Sequence, residues 1–257
     1  MGKIIAIANQ KGGVGKTTTC VNLGAGISSL GYKTLIIDMD PQANASIHLD
    51  ISIHKLNHSM YDVLISQDIK LSDIILKTSV SKLDVAPSHI NLSGAEIELV
   101  NMIGRERVLK EKVEEIIDSY DYILIDCPPS LGLLTLNSLT TAQYLIIPLQ
   151  TEFFALEGID KLIRTIEIVK NKLNHSLEIL SIVPTLYTEK TKLAKEALEK
   201  ITGYFKNNVS KTRIRRNVKL AESPSHGMPI MLYAPRSYGT IDYHDLSKEI
   251  VKKTIKV

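Results

Sequence analysis

The chain has 257 residues, of which 44% are hydrophobic and 23% charged, and this composition is typical of a globular protein with one large core. No run of eighteen apolar residues occurs and the start MGKIIAIAN does not resemble a signal peptide, so we expect neither a membrane span nor export. Two cysteines, Cys20 and Cys127, are too few for a disulfide framework or an all-cysteine metal site, and they favour a reducing cytoplasm.

Short apolar runs alternate with helical patterns along the chain. Strands are predicted over 4–8, 34–38, 122–126, 144–149 and 177–184. Helices are predicted over 17–30, 104–119, 155–173, 191–205 and about 240–254. Uninterrupted apolar runs are typical of parallel strands that are buried on both faces. We therefore predict an α/β fold with a single-domain, doubly wound, mostly parallel sheet and helices on both faces. Residues 41–103 are predicted to form a long, switch-like loop with small helices.

The segment between the first strand and the first helix, NQKGGVGKTTT, is predicted to bind phosphate. Its glycines permit positive φ and bring backbone N–H groups near phosphate oxygens at a helix N-terminus. Lys16 would neutralise the charge of the β- and γ-phosphates, the Thr17 hydroxyl would coordinate Mg²⁺, and Thr18 would donate toward the α-phosphate. The residues predicted to bind ATP in this loop are Gln10, Lys11, Gly12, Gly13, Val14, Gly15, Lys16, Thr17 and Thr18.

A second lysine, Lys11, stands beside Gln10, which occupies the place of the first glycine in the usual phosphate loop G-x-x-x-x-G-K-[ST]. A buried, unpaired lysine is costly, and a lysine within a glycine turn seldom packs in a core. We expect Lys11 to project beyond its own phosphates toward the γ-phosphate held by a second subunit, where it would stabilise transition-state charge as an arginine finger does. The alternative is that Lys11 contacts only the phosphates of its own subunit.

Three aspartates follow strands at the edge where an open α/β sheet binds its ligand. Asp38 and Asp40 lie at the end of the second strand and, by alternation, face the same way. One of them can orient a water that attacks the γ-phosphate; the alternative for Asp40 is a turn residue near Pro41. Asp126 closes the apolar run YILID, which is the form of a Walker B strand that holds Mg²⁺.

Together these motifs resemble the ParA/MinD superfamily of ATPases. The loop QKGGVGKTT matches its deviant phosphate loop, whose signature lysine coincides with Lys11, and the segments DPQ and YILIDCPPS agree. The resemblance extends over essentially the whole chain and is greatest to the short, Soj-like chromosomal ParA proteins. Eight residues precede Asn9, so we expect no counterpart of the DNA-binding domain that longer plasmid ParA proteins carry before the loop.

The resemblance implies roles for particular residues. Lys11, Lys16 and Asp40 would be catalytic, with Asp40 in the first switch and Asp38 supporting the loop or the outer shell of the metal. Mg²⁺ would be held by Thr17, Asp40 and Asp126. The loops 184–187 and 222–224, which include Pro224, would wall the adenine. Cys127 is predicted to be a small buried residue because the sequence supplies no base for it.

The segment from Lys190 to Lys219 carries a charge of +8 in a chain of net charge +3, so the remaining residues carry −5. Such a segment indicates a polyanionic partner. No helix-turn-helix or zinc finger accompanies it, which favours sequence-independent, salt-sensitive contact with DNA phosphates. The predicted DNA-binding residues are Lys190, Arg213, Arg215, Arg216 and Lys219. The alternative is a solvated charged face.

The resemblance implies a function in chromosome or plasmid segregation. ATP and Mg²⁺ would drive a sandwich homodimer that binds double-stranded DNA nonspecifically, and a ParB-type partner would stimulate slow hydrolysis and release it. The protein would be cytoplasmic and nucleoid-associated, without stable membrane association. The alternative is a MinD-like membrane-positioning ATPase, which would need the tail DLSKEIVKKTIKV to act as an amphipathic membrane helix. An iron–sulfur reductase would need paired cysteines near a dimer axis.

Overall fold

A seven-stranded sheet forms the centre of the protein over the residues that the computed structural model describes, 2–152 and 159–255. The strands are β1 (Lys3–Ile7), β2 (Thr34–Asp38), β3 (Leu76–Lys77), β4 (Leu83–Ala86), β5 (Tyr122–Asp126), β6 (Tyr144–Gln150) and β7 (Glu178–Thr185). They lie in the order β3-β4-β2-β5-β1-β6-β7, and every neighbouring pair is parallel except β3 with β4. The prediction of a mostly parallel sheet is confirmed.

The helices connect these strands and cover both faces of the sheet. They are α1 (Lys16–Ser29), α2 (Asn44–His48), α3 (Met60–Ile65), α4 (Leu71–Ile74), α5 (Leu92–Leu99), α6 (Val108–Glu114), α7 (Leu133–Thr141), α8 (Ile159–Lys172), α9 (Lys192–Phe205), α10 (Val218–Glu222), α11 (Ile230–Tyr233) and α12 (Tyr238–Ile255). The predicted doubly wound arrangement is therefore present in one continuous α/β unit.

Alternation along the strands produces a separate core on each face. Ile5 and Ile7 of β1 pack in one apolar cluster with residues of α1 and α12. Ile4 and Ala6 belong to the other cluster, which is completed by α3, α5, α6, α7 and α8. Because the strands are covered on both sides, they contain few polar residues, and this is why their apolar runs were recognisable in the sequence.

The sheet brings the predicted site residues to one edge. In the register of the parallel strands, Asp126 of β5 lies opposite Ile7 of β1 on one side and Asp38 of β2 on the other. The glycine loop after β1 and the aspartates that end β2 and β5 therefore meet at the carboxyl ends of adjacent strands, where α/β sheets bind ligands.

The prediction of a single switch-like loop over 41–103 is wrong for part of this segment, because it also contains β3 and β4 at one edge of the sheet. The strand β4 was missed because Asp84 interrupts its short apolar run. In the structure Asp84 is buried and accepts hydrogen bonds from Lys77 Nζ and the Tyr120 hydroxyl, both at 2.8 Å. These partners make a carboxylate acceptable inside a strand, and the sequence pattern alone does not show them.

Several predicted helices are confirmed with shifts of one or two residues at their ends, namely 17–30, 191–205 and 240–254. The helix predicted over 104–119 is too long, because only α6 and a 3-10 turn at Ile117–Ser119 form there. The prediction over 155–173 corresponds to α8, and its residues before 159 lie outside the described residues. Helix α7 was not predicted because buried polar residues obscure its periodicity; the hydroxyl of Ser138, for example, donates to Leu134 O at 2.8 Å.

Candidate functional site

The glycine loop has the backbone conformation that its sequence predicts. Gly13 and Gly15 have φ values of 72° and 87°, in the left-handed region that favours glycine. Gly15 is also the N-cap residue of α1, and as a glycine it has no side chain with which to cap that helix. The first turn of α1 contains no acidic residue either. The N–H groups and the positive end of this 14-residue helix therefore remain available for an anion.

Hydrogen bonds to neighbouring strands hold the loop in place. The side chain of Asn9 donates to Pro148 O at 2.7 Å and accepts from the backbone N of Lys11 at 3.0 Å. On the other side, the Thr185 hydroxyl donates to Val14 O at 2.8 Å. These hydrogen bonds connect the loop to the ends of β6 and β7, so its open N–H groups are held in place before any ligand binds.

The two lysines of the loop have different environments. Lys16 is 7% exposed and its Nζ donates to Lys11 O at 3.1 Å. Burial lowers the pKa of Lys16, and the nearby Asp126 opposes that shift. The Lys11 side chain is 44% exposed, and its Nζ lies 3.7 Å from Glu152 Oε2. Lys16 thus belongs to the interior of the site, whereas Lys11 stands at its rim in a weak surface ion pair.

The carboxylate of Asp126 is buried and, among the described residues, neither of its oxygens has a hydrogen-bond partner. Burial raises the pKa of Asp126 well above the usual range, and the charge of Asp38 adds to the rise. The Thr17 hydroxyl lowers that pKa, although its approach falls short of a hydrogen bond of good geometry. The charge of Lys16 only partly opposes this rise, and a divalent cation beside the carboxylate would offset more of the cost of its burial.

Asp38 and Asp40 differ in their surroundings. Asp38 Oδ2 accepts from the hydroxyl and the backbone N of Ser46 at 2.7 and 2.9 Å, and Oδ1 accepts from Asp40 N at 3.2 Å. Burial raises the pKa of Asp38 to about 6 against the effect of these bonds. Asp40 Oδ1 accepts from Gln42 N at 2.9 Å. Asp38 therefore holds the switch segment (residues 40–50) in place, and Asp40 lines the cavity.

A cavity of about 430 Å³ joins these groups. It is lined by Gly12, Gly13, Gly15, Lys16, Thr17, Thr18, Asp40, Gln42, Asn44, Ile47, His48, Pro129 and Pro224. Most of the predicted nucleotide residues, including the distant Pro224, are thus brought together. None of the described lining residues belongs to the predicted adenine loop 184–187, and the side chain of Thr185 holds Val14 instead. A volume of this size is within the range of small-ligand sites.

Sequence reasoning missed the lining residues of α2, because its five residues give no periodic signal. Asn44, Ile47 and His48 come to the cavity after Ala43, whose φ of 53° turns the chain into α2. The segment DPQANAS was identified as a switch, and its polar residues were the only sign that the following helix would face a ligand. Pro129, three residues after Asp126, also lines the cavity.

The residues present fit a magnesium ion that is bound partly by phosphate. The described residues contain no group of three or more His, Cys, Asp or Glu side chains that could hold a metal by themselves. Mg²⁺ in nucleotide sites takes one or two protein ligands and completes its shell with phosphate and water. The orphaned Asp126 carboxylate near Thr17, beside the open helix N-terminus, has the donor chemistry that such an ion requires.

The basic segment is less uniformly positive than its sequence suggests. The guanidinium of Arg215 pairs with the buried Asp242, with Nε–Oδ1 and Nε–Oδ2 distances of 3.0 and 3.1 Å, and stacks over Tyr238. Lys219 Nζ lies 2.8 Å from Glu222 Oε2. The guanidinium of Arg215 is therefore engaged in a structural ion pair with Asp242. The charge of Lys219 is partly neutralised by Glu222.

The other predicted DNA-binding residues are exposed at the end of β7 and after it. Arg213 lies against Tyr187, with its Cζ 5.1 Å from the ring centroid and Nη1 3.3 Å from the hydroxyl. For Lys190 and Arg216, the described part of the chain provides no side-chain partner. These three cations leave their charge open to solvent.

Known proteins match this chain over most of its length. A family model described as an AAA domain matches residues 2–179. The chain is 50% identical over 250 residues to the sporulation initiation inhibitor protein Soj of Bacillus subtilis (strain 168), covering 97% of this chain and 98% of that protein. It is 46% identical to the chromosome-partitioning ATPase Soj of Treponema pallidum (strain Nichols), covering 98% of each.

A solved structure described as cobyrinic acid a,c-diamide synthase from Mycobacterium smegmatis, with bound ADP and magnesium, superposes with a TM-score of 0.87. It is 34% identical in sequence, and the match covers 98% of this chain and 95% of that one. The matches in sequence and in fold therefore extend over nearly the whole chain.

Proposed function

The chain belongs to the ParA/MinD family of ATPases, on its Soj-like branch, and from that premise we propose that it is an ATP-driven switch for DNA partitioning. The whole chain, residues 1–257, would act as one ATPase domain that binds ATP with Mg²⁺. The Mycobacterium smegmatis relative with bound ADP and magnesium supports this ligand assignment.

The observation that carries the proposal is the N-terminus of α1, which opens into the 430 Å³ cavity beside the buried Asp126 carboxylate, for which the described residues provide no hydrogen bond. The backbone N–H groups of residues 12–18 would cradle the phosphates, and Lys16 would exchange its bond to Lys11 O for the β- and γ-phosphate oxygens. Thr17 and Asp126, with Asp40 nearby, would hold Mg²⁺, which supplies neutralisation of the phosphate charge.

The position of Asp40 in the cavity supports the proposal that it orients water for hydrolysis. This residue is 6% exposed, lines the cavity, and is held by Gln42 N. The water oxygen would bond to the γ-phosphorus while the bond from that phosphorus to the bridging oxygen breaks, yielding ADP and phosphate. Slow turnover would make ATP hydrolysis a timer, and a ParB-type partner would accelerate it.

The exposed position of Lys11 supports the proposed dimerisation. Because Lys11 lies at the rim and its only described ion pair is a loose one with Glu152, it is available to a second molecule. Two monomers would close face to face, and each Lys11 would contact the nucleotide of the other. ATP then stabilises the dimer because its γ-phosphate contacts both halves.

The dimer would bind double-stranded DNA without sequence preference through Lys190, Arg213, Arg216 and, more weakly, Lys219. Two such surfaces on one dimer bind a long polymer more tightly than one, so ATP would control DNA binding through dimerisation. The protein would then be cytoplasmic and nucleoid-associated. The names of the relatives, which describe chromosome partitioning, support this assignment.

A MinD-like membrane-positioning function is the alternative, and the position of α12 argues against it. Tyr243, Leu246 and Ile250 of this helix are buried against α1 and the sheet, so its apolar face is already occupied. No described helix combines the length and apolar content needed to cross a bilayer. Cys20 and Cys127 are both buried, which leaves neither in the exposed position that an iron–sulfur cluster at a dimer axis needs.

The test is a mobility shift on nonspecific duplex DNA, with ATP, ADP or no nucleotide, over a salt series. We expect binding with ATP only, a steep loss of affinity with rising salt, and longer-lived complexes for Asp40→Ala because hydrolysis no longer releases the dimer. Arg216→Ala should lower the salt slope by about one for each subunit, because each subunit would neutralise one phosphate fewer. The matched control Lys55→Ala removes an exposed lysine that lies beside Leu76, at the opposite edge of the sheet, and should leave the slope unchanged.

Absence of DNA binding with every nucleotide would contradict the partitioning function while leaving the ATPase assignment in place. Sedimentation with anionic liposomes in the presence of ATP would then be the next measurement, because it reports the membrane alternative.

A further inference from the structure

One buried histidine joins two segments that face the nucleotide cavity. His48, the last residue of α2, is 1% exposed and lines the cavity. Its Nε2 lies 3.2 Å from Met228 O and 3.3 Å from the hydroxyl of Ser223. Because a carbonyl oxygen only accepts, Nε2 carries the proton and donates to Met228. Burial lowers the pKa of His48 to about 4, so the ring is neutral at physiological pH.

At its other side, α2 is attached to the aspartates of the site. The hydroxyl and backbone N of Ser46 both donate to Asp38 Oδ2, and the same carboxylate accepts from Asp40 N. The hydroxyl of Ser46 also accepts from Ser88 N at 3.0 Å, at the end of β4. A displacement of α2 would therefore shift the backbone that carries Asp40.

The segment that His48 holds, residues 223–230, forms the wall of the cavity at Pro224. Gly227 packs so closely on the switch segment that a Cβ there would lie 2.8 Å from the Cβ of Asp50. Its φ of 62° also requires the left-handed region. At the far end, Ile230 N donates to Asn22 Oδ1 at 2.7 Å, on the helix that follows the phosphate loop. The wall thus bridges α1 and α2.

We propose that His48 is a positioning residue that couples the Pro224 wall to the switch segment carrying Asp40. The inference rests on the proposed ATP-binding function and assigns a new role within that site. A nucleobase that packs against Pro224 would restrict the motion of the wall. The His48–Met228 hydrogen bond would then restrict α2 as well, and α2 would hold Asp40 in the position required for hydrolysis. A polyphosphate without a nucleobase makes no contact with the Pro224 wall, so its binding should depend far less on the His48–Met228 bond.

The experiment compares Mg·ATP with Mg·tripolyphosphate as calorimetric ligands for wild type, His48→Leu and His48→Gln. His48→Leu removes the donor and leaves Met228 O without its buried partner, so the Kd for ATP should rise about tenfold and single-turnover hydrolysis should slow by a similar factor. The Kd for tripolyphosphate should change less than about twofold. His48→Gln retains an N–H donor of similar reach and should restore ATP binding to within about threefold of wild type.

A second variant disturbs the same contact from the wall. Gly227→Ala places a methyl group against Asp50 and should weaken ATP binding without affecting tripolyphosphate, even if His48→Leu folds poorly. Equal loss of both ligands in Gly227→Ala and in His48→Leu, or no loss of either, would overturn the coupling. Failure of wild type to bind ATP would overturn the proposed function and the coupling with it, so the two failures are distinguishable.

Discussion

At the scale of single residues, the site works through differences between side chains of the same type. Lys16 is buried and held by Lys11 O, whereas Lys11 is exposed at the rim. Asp38 accepts hydrogen bonds from Ser46, whereas Asp126 has no hydrogen-bond partner among the described residues. Desolvation decides these differences, because a buried charge must find a partner while an exposed one is solvated by water.

A pH dependence follows from His48. Its pKa of about 4 lies below the ordinary 6.5, so the unfolded chain binds the proton more tightly than the folded one. Its contribution to stability is complete above pH 6.5 and is lost as the pH falls toward 4. We expect the free energy of unfolding of wild type, relative to His48→Gln, to fall by about 2 kcal/mol between pH 7 and pH 5 in urea titrations.

Comparison of the two variants is essential, because Asp38 acts in the opposite direction. Its pKa is raised to about 6, so its contribution is present at low pH and is lost as the pH rises through that value. Both variants retain Asp38, and its effect cancels in the difference. A difference that stays constant from pH 7 to pH 5 would show that His48 is not buried in its neutral form.

At the scale of secondary structure elements, α1 is positioned by the absence of side chains at two of its glycines. A Cβ on Gly24 would lie 2.8 Å from Ile36 Cδ1 of β2, and one on Gly26 would overlap the Ser247 hydroxyl of α12. The helix therefore packs against both the sheet and α12 more closely than alanine would allow. Because α1 begins at the phosphate loop, this contact also fixes the direction of its N-terminus.

We expect Gly26→Ala to destabilise the protein by about 1–3 kcal/mol, although alanine favours helices, because α1 and α12 would have to separate. Gly203→Ala in α9 is the matched control: a Cβ there meets nothing within 4 Å, so this variant should stabilise by about 0.5–1 kcal/mol. Thermal and urea unfolding measure both. Similar effects of the two substitutions would show that α1 has room beside α12.

At the scale of the whole molecule, the separate positions of Lys11 and Lys16 predict separable defects. Both Lys11→Ala and Lys16→Ala should abolish dimerisation with ATP, the first because no lysine would reach across the interface and the second because phosphate binding would fail. Only Lys11→Ala should retain nucleotide binding by the monomer. Analytical ultracentrifugation with and without ATP, together with calorimetry, distinguishes the two.

A matched control is Lys33→Ala, which removes an exposed lysine immediately before β2, at the opposite end of that strand from the site. It should dimerise like wild type. If Lys11→Ala still sedimented as an ATP-dependent dimer, the lysine would serve only its own subunit, and the proposed contact in trans would be wrong.

The fold was largely predictable from the sequence because a doubly covered parallel sheet requires uninterrupted apolar strands. The runs of β1, β2, β5, β6 and β7 are of this kind and were recognised. The strand β4 was not, because its Asp84 is acceptable only through Lys77 and Tyr120, which are distant in sequence or paired across a hairpin. Contacts of this type cannot be predicted from the local pattern of apolar and polar residues.

The phosphate loop could be recognised from the residues alone, because glycines, a lysine and a helix start adjacent to one another define its chemistry locally. The residue pattern also identified the aspartates that end strands, which meet because parallel strands bring their carboxyl ends to one edge. The folded chain was needed to show that His48 joins α2 to the wall at Pro224 and that Arg215 pairs with Asp242. Those assignments depend on burial and on partners far along the chain, and a residue's neighbours in sequence determine neither.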